Sequence, residues 1–218
     1  VTAAGYRCEI DAELQAATEQ LQSHDWVRCA MVIPPQAAAS IRATIVVVPS
    51  EAGVKVLRRH GKRFLVHRWE QQVGAGDGIH WALLNDLPAS GAAVLERLHE
   101  TRLFPRILGD AKAAAHEIEL LVEVPYDLDI FEGHFPSIPI VPGVVQVGWA
   151  VNAARSRLGL SGRFLSLEKI KFRRIVRPGD RLLLKLQYDP RRAQLRFRFS
   201  DGSTLVSSGE VLLAVADA

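Results

Sequence analysis

His134 stands between a glycine and Phe135-Pro136 in the stretch FEGHFPSIPIVPGVVQ, and further prolines carry the chain from there into an apolar run that opens at Pro142-Gly143. An imidazole titrates near neutrality, which suits it to taking a proton from the carbon beside a thioester. The prolines stiffen the loop and so fix where the ring points. Pro142 and Gly143 sit where a helix should begin, and there the first backbone N–H groups have no intrahelical partner and the helix dipole is positive. Such an end can hold a carbonyl oxygen that gains negative charge, and a glycine lets a ligand come close to the backbone. A histidine alone in a Pro-rich loop is more often a plain turn residue. It is the neighbouring helix start that gives this one a chemical partner.

The elements around these residues follow from periodicity. Val144 to Leu158 reads as a helix whose Val144, Val145, Val147, Trp149, Ala150, Val151, Ala153 and Ala154 leave almost no polar face, so the rest of its domain is expected to enclose it. His116 to Val124, Phe164 to Ile175, Arg181 to Tyr188, Ala193 to Phe199 and Leu205 to Ala214 read as strands, separated by turn residues such as Pro178-Gly179-Asp180 and Asp201-Gly202. A sheet curled around one helix is the simplest arrangement for residues 109–218. Residues 1–108 form a smaller α+β unit. Its helices are expected over Ile10 to Leu21, from Ser50-Glu51 to about Val73 with a break near Gly61, and over Ser90 to Leu103; its strands over Trp26 to Pro34, Ala43 to Val48 and His80 to Leu84. A chain of 218 residues, 48% of them hydrophobic, suits two small domains.

The motif EGHFPSIPIVPGVVQ closely resembles the GHFPxxPVMPGVLQ signature of β-hydroxyacyl-acyl-carrier-protein dehydratases, and Lys169 to Asp180, KIKFRRIVRPGD, resembles the family's FRxPVxPGD strand and turn. The resemblance covers about Glu117 to Ala214, and the wording is closer still to the small dehydratases of aryl-polyene and xanthomonadin-type pigment clusters. It implies the hot-dog fold, a long helix wrapped by an antiparallel sheet, and a homodimer formed through the sheets. It also implies His134 as the base, the Gly143 N–H as the donor that polarises the thioester carbonyl, and Phe135, Pro142, Val144, Gln146, Gly148 and Asn152 around the substrate. The family's helix carboxylate, which protonates the departing hydroxyl, falls on Gly148. Three accounts of that glycine stay open: water or a substitute such as Asn152, Gln146 or Glu132 assists; elimination has been lost and acyl binding kept; or a conjugated substrate loses hydroxide readily. The partner implied is an acyl carrier protein, whose acidic helix and phosphopantetheine phosphate would meet Arg173, Arg174 and Arg177 on the strand that follows Lys169 and Lys171. Charges that keep an edge strand solvated explain the same arginines equally well.

The first half has a resemblance of its own. GYRCEI at Gly5 to Ile10, then His24-Asp25-Trp26-Val27 and Ala30-Met31-Val32, resemble the C-terminal subdomain of acyl-adenylating (AMP-forming) ligases over roughly Val1 to Leu103. Aligning Leu87-Pro88-Ala89-Ser90-Gly91 with that family's LPRTxSGK segment puts the catalytic lysine position at or beside Ala92, where no lysine stands. The resemblance therefore implies a lid or spacer, the tail of a ligase-dehydratase fusion, and no adenylate formation by this chain alone.

Composition closes off other classes. The net charge of +3 is spread among interleaved acids, unlike a nucleic-acid footprint. Cys8 and Cys29 are the only cysteines and lack metal-ligand spacing; they are expected to be reduced thiols. Gly74, Gly76 and Gly78 match neither dinucleotide nor phosphate-loop patterns, His60 and His67 lie on a basic helix, and Asp127, Asp129 and Glu132 do not make a calcium loop. No metal and no cofactor are expected. Neither a membrane span nor a secretion signal is apparent, so a cytoplasmic protein is expected. The leading expectation is dehydration of a carrier-bound β-hydroxyacyl thioester to the enoyl thioester, in fatty-acid-like or polyene pigment synthesis. The alternatives are a non-catalytic acyl-binding or scaffolding module and a hot-dog thioesterase.

Overall fold

The computed structural model describes residues 3–33, 43–74, 79–88, 93–94, 96–97, 103–133 and 138–214. The chain divides into two compact units, Val1–Arg102 with Pro125–Pro139, and Leu103–Val124 with Ile140–Ala218. The expected boundary at 108/109 therefore lies at Arg102/Leu103, and a segment from the middle of the chain joins the first unit. That segment bonds to first-unit groups, as described below, which sequence periodicity does not reveal.

In the first unit, α1 (Ala3–Gln22) leads to β1 (Val27–Ile33) and β2 (Thr44–Pro49), then to α2 (Glu51–His60), α3 (Lys62–Val73) and β3 (His80–Leu83). The sheet order is β1-β2-β3, antiparallel between β1 and β2 and parallel between β2 and β3. The β-branched run TIVVVP is the central strand and is buried at every position. Leu21, Leu57, Leu65, Trp69 and Trp81 pack with Ile45 and Val47 of that strand, and the Trp69 and Trp81 rings stack with centroids 5.9 Å apart. The Ser50 hydroxyl caps α2 by accepting the Gly53 N–H at 3.2 Å. Gly61, at φ +81°, ends α2 and begins α3, a backbone turn that a residue with a Cβ adopts only under strain. The helix expected at Ser90 to Leu103 falls largely outside the described residues. After Pro125 a single helical turn, α4 (Ile130–Gly133), joins this unit.

The second unit is a six-stranded antiparallel sheet with one helix. Its elements are β4 (Arg106–Ala114), β5 (Glu117–Glu123), α5 (Gly143–Leu158), β6 (Phe164–Phe172), β7 (Arg181–Asp189), β8 (Gln194–Asp201) and β9 (Thr204–Leu213), and the sheet order is β4-β5-β7-β8-β9-β6. The strand β6 thus precedes β7 in the chain but lies at the far edge. Leu120, Leu182, Leu184, Leu186, Leu195, Phe197, Phe199 and Val211 fill the core by strand alternation. At one end of the sheet Arg106, Glu123 and Arg181 lie side by side on β4, β5 and β7. The buried Glu123 carboxylate pairs with both guanidinium groups at 2.8 Å.

Two expectations change here. The helix α5 is not enclosed on all sides within the chain: Gln146, Val147, Trp149, Ala150, Ala153 and Ala154 are buried, while Val144, Gly148 and Asn152, one turn apart along the opposite side, are exposed. One sheet covers only one face of a helix, whatever the polarity of the other. The strand β4 was not foreseen, because RILGDAKAA lacks apolar alternation and its pairing with β5 is interrupted by two irregularities of register.

Candidate active site

The start of α5 is built by three neighbouring elements. An isolated bridge between Val141 and Val176 brings the entering chain against the segment after β6. The Pro142 carbonyl accepts the N–H groups of Val145 at 3.1 Å and Gln146 at 3.2 Å, and no side chain caps the helix. Among the described residues nothing accepts the N–H groups of Gly143 and Val144. Two free donors at a positive helix end are what a carbonyl oxygen gaining negative charge requires. A Cβ at Gly143 would overlap the ring of Phe172 at the end of β6, so a larger residue here would have to push that ring aside. Phe172 itself stays half exposed, and Val144 beside it is 76% exposed.

Buried groups hold this helix end. Gln146 is 3% exposed; its amide nitrogen donates to the Val141 carbonyl at 3.1 Å, and its amide oxygen accepts from the Ser207 hydroxyl at 2.7 Å. Both ends of the side chain are thereby committed to the interior. Gln146 ties the approach to α5 onto β9, in place of the substrate-facing role expected of it, because its helix face is the buried one. One turn on, Trp149 donates from Nε1 to the Leu103 carbonyl at 2.8 Å.

On the open face, Gly148 is exposed, and a Cβ there would meet nothing within 4 Å. Asn152 follows on the same face, also exposed. Among the described residues the carboxylate position implied by the motif is thus open to solvent, with no acid on its helix face, Val144 and Asn152 being the flanking residues. Pro142 and Gly143 are half buried at the helix start. His134 and Phe135 lie outside the described residues.

The arginines differ from expectation. The strand β6 ends at Phe172, so Arg173, Arg174 and Arg177 belong to the connection that follows it. Arg174 is committed within the unit, 3.4 Å from Asp180 and 3.4 Å from Asp201. Arg173 is exposed and Arg177 half buried. The turn Arg177-Pro178-Gly179-Asp180 closes with the Asp180 N–H on the Arg177 carbonyl at 3.1 Å, and the Asp180 carboxylate accepts the Arg177 N–H at 3.0 Å. The Gly179 N–H then donates to the Val124 carbonyl at 2.9 Å.

The segment that leads to His134 is held through Asp127 and Glu132, two of the acids that do not make a calcium loop. Asp127 is buried; its Oδ1 pairs with Lys62 Nζ at 2.6 Å and its Oδ2 accepts the Leu83 N–H at 3.2 Å. The Tyr126 N–H donates to Asn85 Oδ1 at 3.0 Å. Glu132 lies 3.7 Å from the same Lys62 ammonium. Among the described residues no cluster of three or more His, Cys, Asp or Glu side chains has a metal-binding arrangement, and no helix is long and apolar enough to cross a membrane.

Residues 110–210 match the family model of ApeI-like proteins, described as ApeI dehydratase. The chain is similar to the 3-hydroxyacyl-[acyl-carrier-protein] dehydratase FabZ of Caldanaerobacter subterraneus, 34% identical over 94 residues, 40% of this chain and 64% of the relative. It is likewise similar to FabZ of Clostridioides difficile, 32% identical over 97 residues, covering 40% of this chain and 68% of the relative. Among solved structures, the dehydratase heterocomplex ApeI:P from Xenorhabdus doucetiae shares 33% identity, with 51% of this chain and 98% of that chain covered and a TM-score of 0.48. The family model falls in the second half, and none of these matches supports the ligase-like reading of the first.

Proposed function

Since its C-terminal region belongs to the hot-dog dehydratase family that includes FabZ and the ApeI-like proteins, we propose that this chain dehydrates a β-hydroxyacyl thioester carried on an acyl carrier protein. The observation that carries the reading is the pair of unclaimed N–H groups at Gly143 and Val144, which follow the His134 motif in the chain. The thioester carbonyl takes up these donors, so that charge moving onto its oxygen as C2 loses a proton is stabilised before it forms. His134 accepts that proton, the C2–H electron pair becomes the C2=C3 double bond, and the C3–O bond breaks. Water in the open space beside Gly148 protonates the departing hydroxyl, and the imidazolium returns its proton to solvent. The products are the enoyl thioester and one water.

A missing general acid lowers the rate by about 10² to 10⁴ rather than to nothing. A substrate whose new double bond joins a conjugated system offsets part of that loss, which supports an aryl or polyene chain in pigment-type synthesis. Arg173, exposed after β6, is the cation offered to the carrier phosphate, Arg174 being engaged elsewhere. Exposed Val144, Phe164, Leu165, Leu167, Phe172 and Ile175 support a second copy of the chain against this unit. No adenylate-forming step is assigned to the first unit, since Leu87 to Ala92 contains no lysine.

The test is incubation of the purified chain with alkyl and aryl β-hydroxyacyl thioesters, following enoyl absorbance and free thiol together. Enoyl product that disappears in His134→Ala supports the dehydratase. Acyl binding without product would make the site a retired one, the reading favoured by the bare face at Gly148, and thiol release would make it a thioesterase. In Gly148→Glu the restored carboxylate should raise turnover by about tenfold or more.

A further inference from the structure

The charge of the first unit is less evenly spread than the composition of the whole chain suggests. Between Glu51 and Gly74 six lysines and arginines stand against two acids, Glu51 and Glu70, so α2 and α3 together carry more than the whole chain's net charge of +3. From the way these helices display that charge we infer that the first unit carries a docking face for the acidic helix of an acyl carrier protein. The inference rests on the reading above for the identity of the partner.

The apolar side of each helix is already used. Leu57, Leu65 and Trp69 are buried in the core of the unit, which turns Arg59, Arg63, Phe64, His67 and Arg68 to solvent. Lys55 and Lys62 are paired, with Glu51 at 2.9 Å and Asp127 at 2.6 Å. Among the described residues, the side chains of Arg59, Arg63 and Arg68 make no ion pair or hydrogen bond. On α3, Arg63 and His67 are one turn apart, as are Phe64 and Arg68. An acidic helix repeats its carboxylates at i and i+4 with the same spacing, so the free cations can be met charge for charge.

Phe64 gives this face an apolar centre. It is 40% exposed, and its ring lies between those of His60 and Trp26, with centroids 4.7 and 6.4 Å away. Trp26 is supported in turn by His24, whose ring centroid is 4.8 Å from its own and whose Nδ1 accepts the Trp26 N–H at 3.0 Å. A large ring held in one orientation beside arginines is the make-up of a protein-interface hot spot. Other polyanions fit less well. Nucleic acid is held by neutralising many phosphates together, and three free arginines are few for that. A membrane surface takes up the apolar face of a helix, and here that face is spent inside the unit.

The experiment uses the whole chain and an apo-acyl carrier protein, which lacks the phosphopantetheine arm, so that only protein surface is read. Binding is measured by titration calorimetry at low and at physiological salt. Arg63→Glu/Arg68→Glu should weaken it by about 30-fold, Phe64→Ala by about tenfold, and Arg63→Lys/Arg68→Lys by less than about threefold. Added salt should weaken the parent and scarcely affect the charge-reversed variant. Arg191→Glu/Arg192→Glu, two exposed arginines of the second unit, should change binding by less than about threefold. An equal loss there would overturn the inference, as would no binding by the parent or binding that the first-unit substitutions leave intact. Tighter binding of single-stranded RNA or phosphatidylglycerol vesicles through the same arginines would overturn it too. The dehydratase reading fails separately, because a short pantetheine thioester needs no carrier: if it is not dehydrated while the carrier still binds through these residues, only that reading is lost.

Discussion

The two units finish their surfaces differently. Among the described residues the first exposes few large apolar side chains, Phe64, Leu87 and Ile138, far apart in the chain. The second exposes Val144 on α5 and Phe164, Leu165, Leu167 and Phe172 on its edge strand, followed by Ile175. A helix with one bare side and an edge strand with an apolar surface are costly to leave in water. Among the described residues the first unit leaves little apolar surface uncovered, while the second offers the surface on which the proposed second copy of the chain would pack. The candidate chemistry lies beside that unfinished surface.

The strongest test of this contrast is to charge one residue on each side of it. Leu165→Asp should weaken self-association by about 2 to 4 kcal/mol, on the order of 30- to 1,000-fold in the dissociation constant, read by sedimentation equilibrium. Phe64→Asp should leave the molecular mass unchanged; equal effects from both substitutions would dissolve the distinction. Next in size is the interior of the second unit. Glu123→Ala removes a buried carboxylate from between two arginines, one of which already reaches water, and should lower stability by about 2 to 3 kcal/mol in urea melts. The same melt followed by tryptophan fluorescence in a Trp149→Phe background reports on the first unit alone, whose transition should not move. Ser207→Ala deprives the Gln146 amide oxygen of its donor and should cost about 1 to 2 kcal/mol by the same measurement.

The smallest effect concerns solvated charge. Hydrogen bonds from Lys185 to Glu117 and Glu119, across the β5–β7 pair, hold its pKa above the ordinary 10.5. A raised lysine pKa means that the folded state keeps the proton more tightly. The associated stability is therefore complete below pH 10.5 and disappears as pH rises through the higher folded value. Lys185→Met should lower the melting temperature slightly at neutral pH, and the gap from the parent should close in strongly alkaline buffer. Its exposure keeps the effect small.

Much of the second unit was legible in the sequence because its signals are local. Period-two apolar runs placed β5 and β7 to β9 to within two residues, and the Pro142-Gly143 pair placed the start of α5. In the first unit the Ser50 cap and the break at Gly61 were equally legible, since each is a property of a residue and its immediate neighbours. What escaped depends on partners distant in the chain. β4 is a strand because β5 pairs with it, not because of its own pattern. The inward turn of Gln146 goes with its bond to Ser207, and Lys62 is paired with Asp127, sixty-five residues later. The site divided in the same way: the motif named Gly143 and Gly148, but the free donors at the helix start and the bare face around Gly148 depend on which surfaces the sheet covers.

The path of the chain has a practical consequence. It leaves the first unit at Arg102, returns at Pro125 and departs again after Pro139, so no single cut separates the two units. A truncation beginning at Leu103 would keep every strand of the large sheet yet carry Tyr126, Asp127 and Phe131 without Asn85, Lys62 and the Trp81 side of their cavity. Such a fragment would expose two aromatic rings and would be prone to clump. A loss of activity on trimming the chain would then reveal an orphaned loop, and would not by itself identify a second catalytic domain.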